Sequence, residues 1–304
     1  MKKTLMAALL VLALFNVSLS AQAAIKAPAV YVALGDSLAA GQTPDSKIDA
    51  GYADLIAQEL SRHQPVALYT KQLAFPGFTT EDVLERIKSE QAQEVLASAN
   101  IITLSAGAND LLRLIQSNPE EGSLAFQQIQ VDFALNEARL NMEAILAELK
   151  ERAPNADVYV MGYYFAYPHA RENQKEGTAV QLERLNEILK NSAKKAGAAF
   201  VSVDKAFGKN ATNKVPSPGD VHPNLLGYQA MANAFLDHYQ KGWKVEKLEL
   251  PKPNPMTFEE IQKQQEQQRE QQEGRPSSME RTSARPSEQM VNEYLALREP
   301  LQYI

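Results

Sequence analysis

The segment VYVALGDSLAAG, residues 30–41, passes from an apolar run to small residues around a single serine. Val30–Leu34 has the length and composition of a short buried strand. Gly35-Asp36-Ser37 follows it without any spacer. Such a junction is either an ordinary turn or a turn that positions the Ser37 hydroxyl at the end of a strand as a nucleophile. The remainder of the chain decides between these two interpretations.

Short apolar runs continue to alternate with amphipathic segments from Pro28 to about Tyr239. Alternating strands and helices predict an α/β fold, with a parallel sheet that carries helices on both faces. In such a sheet the active crevice lies at the carboxyl ends of the strands, so the residues that follow each strand are the candidates for a site. The five predicted strands are Val30–Leu34, Val66–Gln72, Ile101–Ser105, Asp157–Tyr163 and Ala198–Val203.

The first residues have the pattern of a secretory signal peptide. Lys2 and Lys3 precede an apolar run, and Ala21-Gln22-Ala23 places small residues where a signal peptidase reads them. The alternative is a membrane anchor, but the run of about 12 residues is shorter than the ~20 that a spanning helix needs. We therefore predict cleavage after Ala23 and a protein that is secreted or held in the cell envelope, with no membrane span after cleavage.

Composition excludes several classes of function. The chain has 304 residues and no cysteine, which excludes thiol catalysis and thiolate metal sites, and its 4 histidines show no metal-ligand spacing. The net charge is −6 and no cluster of Lys and Arg stands out. This balance argues against nucleic acid and anionic membrane surfaces as partners.

The segments that follow the predicted strands contain the groups needed for acyl transfer. Ser37 follows the first strand, Gly77 the second, Asn109 the third, and Asp220 and His222 lie in the loop after the fifth. A serine hydroxyl needs a base such as histidine, and a carboxylate can orient that histidine. Backbone N–H groups and an asparagine amide can stabilise the oxyanion. These residues therefore predict a serine hydrolase.

The same segments resemble the blocks of the GDSL, or SGNH, hydrolase superfamily. Gly-Asp-Ser-Leu at 35–38 is similar to the nucleophile block, Gly77 to the oxyanion glycine, Gly-Ala-Asn-Asp at 107–110 to the asparagine block, and Asp-Val-His-Pro at 220–223 to the base block. The resemblance covers about residues 28–240. It implies a flavodoxin-like three-layer α/β/α sandwich with a five-stranded parallel sheet in the order 2-1-3-4-5. It also implies hydrolysis of esters or thioesters with no cofactor and no metal.

One block departs from the family pattern, because Asp220 precedes His222 by two positions where the family usually has three. Gly219 therefore stands at the usual position of the acid. Three arrangements stay open from the sequence. In the first, Asp220 reaches the His222 ring through a different turn. In the second, a backbone carbonyl orients His222 and the site is a Ser37–His222 dyad. In the third, Asp204 takes the place of Asp220 as the acid.

The composition changes beyond Leu250, where a proline-rich linker precedes a segment rich in glutamine and glutamate. We predict a signal peptide over 1–23, a hydrolase domain over 24–250 and a largely disordered tail over 251–304, which is either solvated or contacts the cell wall or a protein. The substrate is a small or lipid-like acyl ester. The alternatives are a carbohydrate O-acetyl esterase, favoured by a polar pocket around 42–50, and a degenerate hydrolase domain that only binds.

Overall fold

The computed structural model describes residues 27–273, so the predicted signal peptide and residues 274–304 lie outside the described part. The strands are β1 (Ala29–Gly35), β2 (Gln42–Thr43), β3 (Lys47–Ile48), β4 (Val66–Ala74), β5 (Ile101–Ser105), β6 (Gln116–Asn118), β7 (Ser123–Ala125), β8 (Asp157–Met161), β9 (Ala199–Val201) and β10 (Met256–Thr257). The α-helices are α1 (Ser37–Ala40), α2 (Tyr52–His63), α3 (Thr80–Lys88), α4 (Glu90–Ser98), α5 (Ala108–Leu112), α6 (Gln128–Arg152), α7 (Glu172–Ala196), α8 (Asp204–Phe207), α9 (Leu225–Tyr239) and α10 (Phe258–Glu273).

A five-stranded parallel sheet in the order β4-β1-β5-β8-β9 forms the centre of the molecule. Numbered along the chain, this is the order 2-1-3-4-5, which confirms the predicted fold class. The strand β1 lies between β4 and β5 and is buried almost throughout, and Val32, Ala33 and Leu34 are inaccessible to solvent. A buried hydrogen bond of 2.9 Å between the Tyr31 hydroxyl and Thr103 Oγ1 links β1 to β5.

Helices cover both faces of this sheet. The helices α2 and α9 pack against each other, while α3, α6 and α7 pack in a row. All five strands of the sheet run parallel, so their carboxyl ends lie at the same edge of the sheet. The segments that directly follow these strands therefore meet near that edge. That edge carries the candidate site.

The structure differs in form from two helical stretches that the sequence predicts, one over 79–93 and one that runs from Asn109, breaks near 118–122 and then resumes. Ser89 divides the predicted helix over 79–93, because its hydroxyl accepts a hydrogen bond from the Ala92 N–H and starts α4. The predicted break near 118–122 is present, and the helix resumes as α6, but the helix before the break is only the short α5 and the break is the turn of a hairpin of β6 and β7. Pro119 and Gly122, which has φ of +58°, form the turn of that hairpin and exclude a continuous helix.

The segment after the predicted domain boundary at Leu250 continues to contact the domain. Its strand β10 pairs antiparallel with β3, and β3 pairs with β2 in a small three-stranded sheet. The helix α10 follows at once and begins at Phe258, whose ring packs edge-on against Phe75. Between residues 27 and 273, no helix has the length and apolar character needed to cross a membrane.

Candidate active site

The turn that carries Ser37 depends on a glycine at the end of β1. Gly35 has φ of +133°, and a Cβ there would lie 1.9 Å from the Ser105 carbonyl oxygen. Any other residue would therefore push β1 away from β5. Asp36 caps the following helix α1 by accepting a 3.0 Å hydrogen bond from the Leu38 N–H. Ser37 is the first residue of α1 and is 7% exposed.

The Asp36 side chain joins the ends of three strands. It accepts hydrogen bonds from Ser105 Oγ at 2.7 Å and from the Tyr163 hydroxyl at 2.5 Å, in addition to the Leu38 N–H. Burial raises the pKa of the Asp36 carboxyl, although these hydrogen bonds oppose the rise. Burial and the Asp36 charge also raise the pKa of Tyr163, so the tyrosine remains a proton donor. The network holds the Ser37 turn against β5 and the end of β8.

His222 lies between Ser37 and Asp220. Its Nε2 is 2.9 Å from Ser37 Oγ, and its Nδ1 is 2.6 Å from Asp220 Oδ1. The same Asp220 oxygen accepts the His222 backbone N–H at 2.9 Å. A turn in which one carboxylate caps the backbone N–H two residues later is compact, so the shortened spacing still allows contact with the ring. Asp204 instead accepts a hydrogen bond from Ser202.

The environment of Asp220 favours its charged form. Burial acts to raise its pKa, but the hydrogen bonds from the His222 ring and backbone, the His222 charge and the Asp45 N–H outweigh it and lower the pKa. The Asp45 N–H donates to Asp220 Oδ2 at 3.1 Å. The carboxylate is therefore fixed through both oxygens, one toward His222 and one toward the loop over 42–48.

The other two predicted oxyanion residues lie in the segments that follow β5 and β4. Asn109 lies inside the first turn of α5, whose N-cap is Gly107, so its side chain does not cap the helix. Its amide donates one N–H to the Phe78 carbonyl at 2.9 Å, which leaves the second N–H for another acceptor. Gly77 has φ of +81° on the loop that includes Phe78. Asn109 lines the cleft described below, whereas Gly77 does not.

Asp110 has a different partner. Its carboxylate accepts hydrogen bonds from the Thr80 hydroxyl at 2.7 Å and the Thr80 N–H at 3.0 Å, both at the start of α3. Asn141 of α6 donates to the same hydroxyl at 3.1 Å. Asp110 therefore joins α5 to α3 and α6 and holds the neighbouring Asn109 at the sheet edge.

This geometry agrees with the comparison of the chain to known families. The model of the GDSL-like lipase/acylhydrolase family matches residues 33–230, which is more than half of the chain. The chain belongs to the GDSL-like lipase/acylhydrolase family. It is also 27% identical over 221 residues to the uncharacterized protein YpmR of Bacillus subtilis (strain 168), covering 70% of this chain and 82% of YpmR.

Solved structures with the same fold include lipases and an esterase. The lipase Lip_vut3 from a goat rumen metagenome matches with a TM-score of 0.56 and 21% identity over 70% of this chain and 97% of its own. An extracellular lipase from Streptomyces rimosus has a TM-score of 0.51 and 19% identity, covering 69% and 98%. The acetylxylan esterase Axe2 of Geobacillus stearothermophilus has a TM-score of 0.50 and 17% identity, over 71% of this chain and 96% of its own. At these sequence identities the similarity to the solved structures shows only that the fold is shared. The family assignment indicates that the chain is an esterase- or lipase-like hydrolase.

An open cleft begins at Ser37 in this GDSL-family hydrolase. Its empty volume is about 680 Å³, part of which is continuous with bulk solvent. The polar groups of the cleft come from Asp36, Ser37, Asn109, Tyr163, Thr178, Gln181 and His222. The rest of its lining is apolar or aromatic and consists of Leu38, Ala108, Leu111, Leu112, Ile115, Tyr164, Phe165, Ala166, Tyr167, Leu182, Leu185 and Val221. Ser37 and His222 therefore stand at one side of a predominantly apolar cavity. Within the part of the chain that the structure describes, no group of three or more His, Asp and Glu side chains is placed to hold a metal ion.

Several contacts around the site were not predicted from the sequence. Gln42 Nε2 lies 3.4 Å from His222 Nδ1, and the Tyr164 hydroxyl donates to the Val221 carbonyl at 2.8 Å, next to His222. Tyr163 and Ser105 hold Asp36. Each of these residues is an ordinary polar or aromatic residue within its segment. No spacing in a single sequence distinguishes it from a residue that only packs.

Proposed function

We propose that this chain is an exported serine hydrolase of carboxylic esters or thioesters, with Ser37 as nucleophile, His222 as general base and Asp220 as the acid that orients the histidine. The observation that carries the proposal is the continuous line of contacts from Ser37 through His222 to Asp220, at the side of an apolar cleft. The family assignment supports ester hydrolysis, and the contacts support these particular roles.

In the first half of the reaction, His222 Nε2 takes the Ser37 proton as Oγ attacks the acyl carbonyl carbon. The His222 ring then carries a positive charge. Because the pKa of Asp220 is lowered, Asp220 is a carboxylate that balances this charge. The negative oxygen is stabilised by the N–H groups of Ser37 and Gly77 and by the second N–H of the Asn109 amide. The tetrahedral intermediate collapses when His222 returns the proton to the leaving alkoxide or thiolate.

In the second half, water enters the space that the alcohol or thiol has left. His222 removes a proton from this water, which attacks the acyl-enzyme carbonyl, and the same three donors stabilise the second oxyanion. His222 then protonates Ser37 Oγ as the carboxylic acid leaves. Each step uses only side chains and backbone groups that lie at this edge of the sheet.

The cleft favours an acyl group longer than acetate. Leu111, Leu182 and Leu185 are among the apolar residues that line it, and an acyl chain placed there would remove its methylene groups from water. Leu38 and Tyr164 also line the cleft, whereas Phe78 does not. We therefore favour a lipid-like acyl ester over a carbohydrate acetyl ester.

The chain-length preference tests this assignment directly. With p-nitrophenyl esters from acetate to palmitate, we expect kcat/KM to rise about fourfold per methylene, the equivalent of about 0.8 kcal/mol, until the cleft is filled. Leu182→Trp should move the optimum to shorter esters while leaving acetate hydrolysis within about twofold of the original rate. The matched control is Val180→Trp, because Val180 lies two positions away on α7 and is 44% exposed. An optimum at acetate in the unaltered protein would favour the acetyl esterase.

Export is supported by the charged and apolar pattern of residues 1–23. We expect protein recovered from the cell envelope or the medium to begin at Ala24. Mass spectrometry of the intact N-terminus checks this, and Ala23→Tyr serves as the uncleavable comparison. Mature protein that retains Met1 would support an anchor instead of a signal peptide.

A further inference from the structure

The chain returns to the candidate site after the last helix of the sandwich. Residues 250–261, here called the C-terminal strap, contain the strand β10 and the first turn of α10. Met256 pairs with Ile48 and Thr257 with Lys47 in the antiparallel ladder between β10 and β3. The family match ends at residue 230, so the strap lies outside the region that defines the family.

The loop that the strap holds contacts both partners of the nucleophile. The Asp45 N–H donates to Asp220 Oδ2 at 3.1 Å, and Gln42 Nε2 lies 3.4 Å from His222 Nδ1. The Tyr228 hydroxyl of α9 donates to the Gln42 carbonyl, which fixes one end of the loop. The other end is fixed by β3, the strand that pairs with the strap.

The backbone of this loop is strained where it meets Asp220. Asp45 has φ of 65° and Ser46 has φ of 55°, and they are the non-glycine residues with positive φ among residues 27–273. Residues of this kind stay left-handed only when the surrounding structure holds them, because an extended or right-handed backbone costs less. The left-handed turn orients the Asp45 N–H toward Asp220. Something must therefore prevent the loop from relaxing.

The strap supplies that restraint through three kinds of contact. Its strand pairs with β3 directly after the strained turn, the Asn254 N–H donates to Asp49 Oδ2 at 3.0 Å, and the Phe258 ring packs edge-on against Phe75 at 5.8 Å between centroids. Phe75 follows β4 and is part of the body of the sandwich. The strap thus connects the loop to the sheet edge from outside.

We propose that the C-terminal strap is a positioning element for hydrolysis: by holding the loop over 42–48 in its strained form, it keeps the Asp45 N–H on Asp220 and so keeps Asp220 aligned with His222. This inference rests on the proposed function of Ser37, His222 and Asp220. It assigns a role to a segment whose composition otherwise reads as a linker and a solvated tail.

The test uses the full chain with Met256→Pro and Phe258→Ala combined. Proline removes a backbone donor from the two-residue ladder and alanine removes the ring contact with Phe75. We expect kcat for p-nitrophenyl acetate to fall about 10- to 100-fold, as for a small misplacement of a catalytic group, with KM within about twofold. The matched control combines Lys252→Pro and Glu259→Ala, which change exposed neighbours in the same segment and should leave both constants unchanged.

A double-mutant comparison separates positioning from general support of the fold. When Asp220 is already replaced by asparagine, nothing remains for the strap to align, so the strap substitutions should change kcat by less than about twofold. An equal loss of kcat in both backgrounds, or a loss that follows a lower melting temperature in the variant, would overturn the proposal.

Hydrogen exchange at the Asp45 amide provides a readout that does not depend on activity. We expect this amide to exchange at least tenfold faster in the strap variant than in the unaltered protein, and at an unchanged rate in the control. If the unaltered protein hydrolyses no ester, the proposed function fails while this measurement still tests the restraint. An Asp45 amide that remains protected without the strap contacts would overturn the inference by itself.

Discussion

Replacing Ser37 with alanine should lower kcat for ester hydrolysis by on the order of 10⁶-fold, because the attacking oxygen is lost and the other groups cannot replace it. Ser37 is buried in a one-turn helix, and its hydroxyl bonds to His222 Nε2 at 2.9 Å. Alanine keeps the helix and removes only that hydroxyl. The measurement is p-nitrophenyl ester hydrolysis by purified protein, together with its melting temperature, which should stay within a few degrees.

Two controls make the Ser37 result specific. Ser61→Ala removes a hydroxyl that bonds only within its own helix, to the Gln58 carbonyl at 2.7 Å, and should leave kcat unchanged. Asn109→Ala removes one oxyanion donor and should cost about 10²- to 10³-fold. Retention of most activity by Ser37→Ala would exclude Ser37 as the nucleophile. A complete lack of activity in the unaltered protein would favour the degenerate binding domain.

The fold was predictable because its central strands are short apolar runs that a polar environment could not accommodate. Val30–Leu34 and Ile101–Ser105 are buried at every position or nearly so, and this leaves a parallel sheet with covered faces as the consistent arrangement. The interruption at Ser89 was not predicted, and the break predicted near 118–122 is the turn of a hairpin rather than a gap between two helices. Both depend on a local cap or turn, and the free energy of such a local structure is close to that of continuing the helix by one more turn.

The site was predictable only as far as its residues belong to strand ends. Ser37, Asn109 and His222 meet at the cleft because parallel strands bring their carboxyl ends to one edge. The contact of Asp220 with the ring depends on a two-residue turn, and sequence spacing left it open. The role of the loop over 42–48 depends on pairing with a strand more than two hundred positions away, which no local pattern reveals.

The second large effect should come from Asp220→Asn, which we expect to lower kcat by about 10⁴-fold, because an amide can hold the wrong His222 tautomer and cannot balance the imidazolium charge. The 2.6 Å contact from Asp220 Oδ1 to His222 Nδ1 and the lowered pKa of Asp220 support this size of effect. Measurement of kcat with p-nitrophenyl acetate at neutral pH checks it. Asp204→Asn is the matched control and should leave kcat unchanged, since the Asp204 carboxylate bonds to Ser202.

A loss of less than about tenfold in kcat for Asp220→Asn would instead indicate a Ser37–His222 dyad, and Asp220 would then contribute mainly to the shape of its turn.

Stability provides an independent check on the charge of Asp220. Its folded pKa lies below the usual 3.8, so its contribution to the free energy of unfolding is present above that value and is lost as the pH falls toward the folded pKa. The melting temperatures of the unaltered protein and Asp220→Asn should therefore differ most above pH ~5 and converge as the pH falls below ~4. Parallel curves across that range would show that Asp220 is not held as a carboxylate.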